Sequence, residues 1–243
     1  MDIYTFMSSA SALWPYFAAC VKIGRQTEKQ PAPETLAALR WYGIQAECDM
    51  RRTTHEVNTH KGAIYSMGLL CGALGRLERE KWNEPAVILS EIAAMTQDSV
   101  EKELAGITVE SARTAGQKLY ARYGVTGVRG EAEKGFPSVL SHGLPVLEAG
   151  LANGKSADAA GAAALLALLA HTTDTNMIAR GGIVCQQKAE KQVRAVLDAC
   201  PYPIKETVEQ LDKVFTANNL SPGGSADLLS LCWMLHFLKE EQA

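Results

Sequence analysis

What this chain lacks narrows what it can be. It has no CxxC pair: its six cysteines, Cys20, Cys48, Cys71, Cys185, Cys200 and Cys232, are scattered. That argues against a disulfide frame and a zinc site, and suits the reducing cytoplasm. No stretch is apolar and long enough to span a bilayer, and Met1-Asp2-Ile3-Tyr4 does not read as a signal peptide. No sign of charge dominates. With a net charge of -3 and a pI near 6.0, the chain has no global field to recruit nucleic acid or an acidic membrane. Any bound anion must be met by local arginines and lysines. Sustained period-two alternation and Asn-Gly hairpin signals are missing, as are internal repeats and low-complexity tracts. GxxxxGKS, GxGxxG and HExxH are missing too, so no single spacing names a class of chemistry.

What is present is apolar residues at helical spacing. The 243 residues, 47% hydrophobic and 21% charged, have the balance of a globular protein able to bury a sizeable core. The expected fold class is all-α: a single compact multi-helix domain over residues 1–243, with functional loops at helix junctions. The first apolar series is Ile3, Phe6, Met7, Ala10, Leu13, Trp14 and Phe17, which predicts a core-facing helix with Asp2 as N-cap and Pro15 at a break or in the first turn of a second helix. Glu34 to Arg52 reads as helix. The next carries Ile64, Met67, Leu70, Cys71 and Leu74, with Gly68, Gly72 and Gly75 on one side. Glycines so spaced inside a helix are costly unless another helix packs closely there. Further helices are predicted over Pro85–Leu104, Ser111–Tyr123 with Gly124 as C-cap, Ser138–Ala152, Ser156–His171, Gln187–Ala199 and Ile204–Phe215, with a last one reaching Leu238.

Between these helices lie four polar junctions. The longest is the run Tyr123 to Pro137, with four glycines among its residues and Arg129, Glu131 and Glu133 inside it. The others are Asn58, His60 and Lys61 with Gly62; Asp174, Asn176 and Arg180; and Ser221, Gly223, Gly224, Ser225 and Asp227. These residue types suit a nucleoside triphosphate with magnesium. Lysine and arginine bind phosphate oxygens, carboxylates are the hard ligands magnesium prefers, and glycine- or serine-rich helix starts offer N–H groups to an anion. Each junction also has a plainer reading. His60 alone is an ordinary hydrogen-bonding histidine, Asp174 a cap for the following turn, Ser221-Pro222 a good helix start, and Arg129 a surface partner for Glu131 and Glu133.

Taken together and in order, these segments resemble the triphosphoribosyl-dephospho-CoA synthase family. The resemblance is carried by Val57-Asn58-Thr59-His60-Lys61-Gly62, by Thr114-Ala115-Gly116, and by Gly127-Val128-Arg129-Gly130-Glu131-Ala132-Glu133-Lys134-Gly135-Phe136-Pro137. Asp174-Thr175-Asn176 with Arg180-Gly181-Gly182, and Asn219 to Leu228, complete it. The family also carries an earlier PKPGLVD run and a GAHxDM run. Met1-Asp2 falls where the second run ends, so the chain is expected to lack this segment, which puts its activity in doubt.

The resemblance implies a reaction between ATP and 3′-dephospho-CoA. Adenine leaves, and the triphosphoribosyl unit passes to the 2′-hydroxyl of the dephospho-CoA ribose. The product would be the prosthetic-group precursor of citrate lyase or malonate decarboxylase, attached to an acyl carrier protein by a separate transferase. It further implies Lys61, Arg129 and Arg180 at phosphate, with Gly223, Gly224 and Ser225 as backbone donors. Glu131, Glu133 and Asp174 are the candidates for magnesium ligation or for the general base, and His60 for proton donation to adenine. Asn58, Asn176, Ser221 and Asp227 complete the expected substrate contacts. Two rivals remain: an inactive, truncated nucleotide-binding remnant, and an all-α metal-dependent hydrolase of nucleotides or ADP-ribose. The absence of an HD pair counts against the second.

Overall fold

A computed structural model of the chain describes residues 2–241. The described residues are helical, with no strand among them: α1 (Ile3–Ala12), α2 (Trp14–Thr27), α3 (Ala32–Thr53), α4 (Lys61–Arg76), α5 (Pro85–Met95), α6 (Ser99–Leu104), α7 (Ala115–Tyr123), α8 (Val128–Glu133), α9 (Leu144–Ala152), α10 (Ala157–His171), α11 (Thr175–Ala199), α12 (Lys205–Ala217) and α13 (Gly223–Glu240). The all-α expectation is therefore met. The helices gather into two compact units. The first takes Met1–Asp98, Ala132–Phe136 and Leu238–Ala243; the second takes Ser99–Glu131 and Pro137–Phe237.

In the first unit the glycines of α4 do what their spacing demands. A Cβ on Gly75 would collide with the Val21 carbonyl, and one on Gly24 with the Gly72 carbonyl, so α2 and α4 lie backbone to backbone. Gly68 leaves room for the Tyr16 ring, whose hydroxyl donates to the Ile64 carbonyl at 3.0 Å. Arg76, at the end of α4, pairs with Glu91 and donates to the Thr27 carbonyl, the Thr35 hydroxyl and the Gln30 carbonyl. One side chain thereby ties α4 to α2, α3 and α5.

The first helix departs from expectation. Asp2 caps it, accepting from the Thr5 N–H at 2.8 Å, and Pro15 sits in the first turn of α2. Of the seven apolar residues predicted to face the core, however, only Leu13 is buried, while Ile3, Phe6, Met7 and Trp14 are 68%, 43%, 60% and 74% exposed. Helical period reports that apolar residues share a face, not that another element covers it; the buried residue of α1 is Ser9, with Leu13 buried at its C-cap.

In the second unit, α10, α11 and α12 share a core of Leu166, Leu169, Met177, Val193, Leu211 and Phe215. Four predicted boundaries shift, each for a local reason. The Pro85–Leu104 helix breaks into α5 and α6 at Asp98, where φ is 59°. The Ser111–Tyr123 helix starts later, because Thr114 and Gln117 form a capping box and Ser111 closes a turn with Thr108. The predicted Ser138–Ala152 helix contains a π turn over Val139–Gly143, just before Pro145. A proline has no N–H and its ring crowds the carbonyl four residues back, so the chain widens and Leu144 donates to Val139 instead. Finally, the Asp174–Gly182 stretch is not loop. It is the first part of α11, kinked at Gly182 (φ 81°, ψ 166°), a conformation side chains avoid.

Candidate active site

The second unit holds Arg129 and Glu131 of the glycine-rich run, the Asp174–Arg180 junction and the Ser221–Asp227 junction, while Glu133 falls in the first unit; Asp174 organises the last two of these junctions. Asp174 is 2% exposed and stands at the N-cap of α11, where Oδ1 accepts from the N–H groups of Asn176 (2.9 Å) and Met177 (3.1 Å). Its Oδ2 reaches across to the start of α13, accepting from the N–H (2.8 Å) and the hydroxyl (3.0 Å) of Ser225. One buried carboxylate thus fixes the starts of two helices side by side.

The glycines at the start of α13 are required by this approach. A Cβ on Gly224 would stand 3.2 Å from both Asp174 oxygens, and one on Gly223 would run into the Asn176 amide. The N–H groups of Gly223 and Gly224 open the helix, where no intrahelical acceptor exists for them. Beside this end, Arg180 Nη1 donates to Asn219 Oδ1 at 3.2 Å, and Asn219 holds a left-handed φ of 52° just before Ser221.

The glycine-rich run forms another wall. It is not a continuous loop: Arg129, Glu131 and Glu133 lie on α8. Gly127 lies against Thr175, the residue after Asp174, with only 2.9 Å from an added Cβ to Thr175 Cγ2. Arg129 Nε donates to Glu103 Oε2 at 2.7 Å, and its Nη1 lies beside Gly116 near the start of α7. Glu131 accepts from the Ser138 hydroxyl (2.8 Å) and N–H (3.3 Å). Arg129 thus has an ion-pair partner, Glu103, that the sequence did not point to.

Asn58, His60 and Lys61 belong to the first unit. Asn58 Oδ1 accepts from the Lys61 N–H at 3.2 Å, which starts α4, and Lys61 Nζ pairs with Glu47 at 2.5 Å. His60 Nδ1 lies 3.0 Å from both the Ser9 and the Thr59 hydroxyls, and its ring packs against Phe6. Burial pushes the His60 pKa down, so the ring is neutral at physiological pH.

The family model described as ATP:dephospho-CoA triphosphoribosyl transferase matches residues 1–243. The chain belongs to that family. It is similar to the 2-(5''-triphosphoribosyl)-3'-dephosphocoenzyme-A synthase of Pectobacterium atrosepticum, at 39% identity over 99% of this chain and 79% of the relative. Probable synthases of the same name from Vibrio cholerae (38%; 98% and 77%) and Streptococcus mutans (33%; 99% and 86%) are similar as well. No solved structure matches. As a member of the triphosphoribosyl transferase family the protein is an enzyme, a transferase.

Among the described residues of this triphosphoribosyl transferase, no group of three or more His, Cys, Asp or Glu side chains is placed to hold a metal ion. Asp174 already accepts four hydrogen bonds within the protein, which fits a structural staple better than a ligand. The sequence reading also missed Glu103, Ser138 and Glu47. They sit outside the four polar junctions, and their partners are 26, 7 and 14 residues away. Among the described residues no helix is long and apolar enough to cross a membrane, and all six cysteines are free thiols.

Proposed function

We propose that the enzyme joins ATP to 3′-dephospho-CoA in the second unit, with the triphosphate bound where α8, α11 and α13 begin. The observation that carries this reading is the Asp174–Ser225 pair. It sets Gly223 and Gly224 at the start of α13 against Asn176 and Asp174, and Arg180 holds Asn219 in the segment that leads into that helix, a concentration of anion-seeking donors. Arg129 and Arg180 bind phosphate oxygens in this reading, while Asn176, Ser221 and Asp227 bind the nucleotide's polar groups. Magnesium would come bound to ATP as part of the substrate and would neutralise part of the phosphate charge.

The bond between the anomeric carbon and the adenine nitrogen breaks, and its electron pair leaves with adenine, which takes up a proton. The 2′-hydroxyl oxygen of dephospho-CoA attacks the anomeric carbon and gives up its proton to a base. Charge at the anomeric carbon resembles that in glycoside hydrolysis, where a carboxylate beside the sugar stabilises it. Glu131 is our choice for the base. Ser138 holds it in one orientation without saturating its acceptor positions, unlike Asp174. The product, in our reading, is the precursor of the prosthetic group of citrate lyase or malonate decarboxylase, passed in the cytoplasm to a separate transferase acting on an acyl carrier protein.

The test is incubation of the chain with ATP, magnesium and dephospho-CoA, following free adenine and the mass of the CoA product. Adenine release that requires dephospho-CoA supports the reading. Adenine with ribose triphosphate and no CoA acceptor would instead indicate a hydrolase. Loss of turnover in Glu131→Gln with nucleotide binding retained supports Glu131 as base, and full turnover in that variant removes it. Asn58→Ala, His60→Gln, Lys61→Ala and Glu133→Gln, measured in the same assay, test the roles expected for those residues.

A further inference from the structure

We infer that Glu103 is a positioning residue for substrate binding: it fixes the guanidinium of Arg129 in the orientation that receives the triphosphate. The inference rests on the proposed reading of Arg129 as a phosphate ligand. Glu103 lies near the end of α6, whose six residues precede Gly106, where φ is 75°. Its side chain is 17% exposed, and Oε2 accepts from Arg129 Nε at 2.7 Å, while the Arg129 side chain is 31% exposed. An ion pair this far withdrawn from water is screened less than a surface pair, and its short charge-assisted bond fixes an angle as well as a charge.

The grip is on Nε, the inner nitrogen, where the plane of the guanidinium is set. Gly116, the second residue of α7, lies beside the guanidinium: Arg129 Nη1 is 3.7 Å from where a Cβ on Gly116 would stand, an ordinary contact distance. The orientation is set by the Glu103 bond. A flexible arginine loses much rotamer freedom on meeting phosphate. One held in place beforehand loses less, and the difference appears as affinity.

The experiment compares Glu103→Gln, Glu103→Asp, Arg129→Ala and the double variant Glu103→Gln/Arg129→Ala in the full chain. KM for ATP and for dephospho-CoA is read from adenine release, and Mg·ATP affinity by calorimetry, which needs no turnover. Glu103→Gln is expected to raise KM and Kd for ATP about tenfold, with kcat within about twofold and KM for dephospho-CoA unchanged. Glu103→Asp should shift ATP affinity less and in the same direction. In the Arg129→Ala background, Glu103→Gln should add nothing, because its effect passes through that side chain. A purely structural role would lower thermal stability and affect both substrates alike, and that result overturns the inference. If Arg129→Ala weakens ATP binding while Glu103→Gln does not, the positioning role falls and the phosphate reading of Arg129 stands. If Arg129→Ala leaves ATP binding intact, that reading fails and this inference fails with it.

Discussion

Asp174 and Ser225 are 51 residues apart in the chain and joined by two hydrogen bonds, both onto Asp174 Oδ2. With Oδ1 occupied by two N–H groups of α11, removal of this carboxylate leaves four donors without their acceptor, in a place 2% exposed. Asp174→Ala should therefore cost about 3 kcal/mol in urea unfolding. Asp174→Asn should also be damaging, since its amide must turn an NH2 group toward donors. Ser225→Ala loses only the hydroxyl bond and should cost about 1 kcal/mol. Equal stability of wild type and Asp174→Ala would refute the staple.

Glycines in the first unit should sort by what their missing Cβ would meet. Gly75→Ala places a methyl against the Val21 carbonyl and Gly24→Ala one against the Gly72 carbonyl, and backbone cannot step aside. Each is expected to cost about 3 kcal/mol or more, because the α2–α4 pair must separate. In the second unit Gly124 has a φ of 68° with nothing within 4 Å, so Gly124→Ala costs only the left-handed strain, about 1 kcal/mol. Thermal unfolding checks the ranking, and similar losses in all three variants would contradict it.

These contrasts also explain what the sequence could disclose. The helices were legible because apolar spacing, Asp2, Gly124 and Ser156 are local signals, and the close packing at Gly72 and Gly75 could be read from their cost inside a helix. Exposure of Trp14 was not legible, since period alone does not reveal what lies opposite. Nor were the π turn before Pro145 and the continuation of α11 through Arg180, where Gly181-Gly182 looks like a stop. At the site, the residue types were legible and their partners were not. Nothing near Arg129 in the chain points to Glu103, 26 residues earlier, and nothing about Asp174 foretells a bond to Ser225.

Arg76 offers a test of buried charge in the first unit. Its side chain is 9% exposed and holds Glu91, two carbonyls and the Thr35 hydroxyl. Arg76→Ala leaves Glu91 and those acceptors without their donor and should cost about 3–5 kcal/mol. Replacing both charges, in Arg76→Met/Glu91→Leu, should restore part of that loss, because no lone charge remains. If the double variant is less stable than Arg76→Ala alone, the loss comes from shape rather than from stranded charge. Denaturant unfolding decides between them.

The histidines predict how stability follows pH. The rings of His142, on the π turn, and His171, at the end of α10, are stacked with centroids 3.8 Å apart and planes 9° apart. Burial, with the neighbouring His171 and the positive Arg194, pushes the His142 pKa below 6.5, and burial does the same to His60. A histidine whose folded pKa is lowered binds its proton better when unfolded. Both groups therefore leave stability intact above about pH 6.5, and stability falls as pH drops from there toward the folded values. The melting temperature should decline on acidification from about pH 7 to 5.5, before most carboxylates titrate. His60→Gln/His142→Gln should flatten that decline. If the double variant keeps the wild-type slope in this window, the proton uptake belongs to other groups.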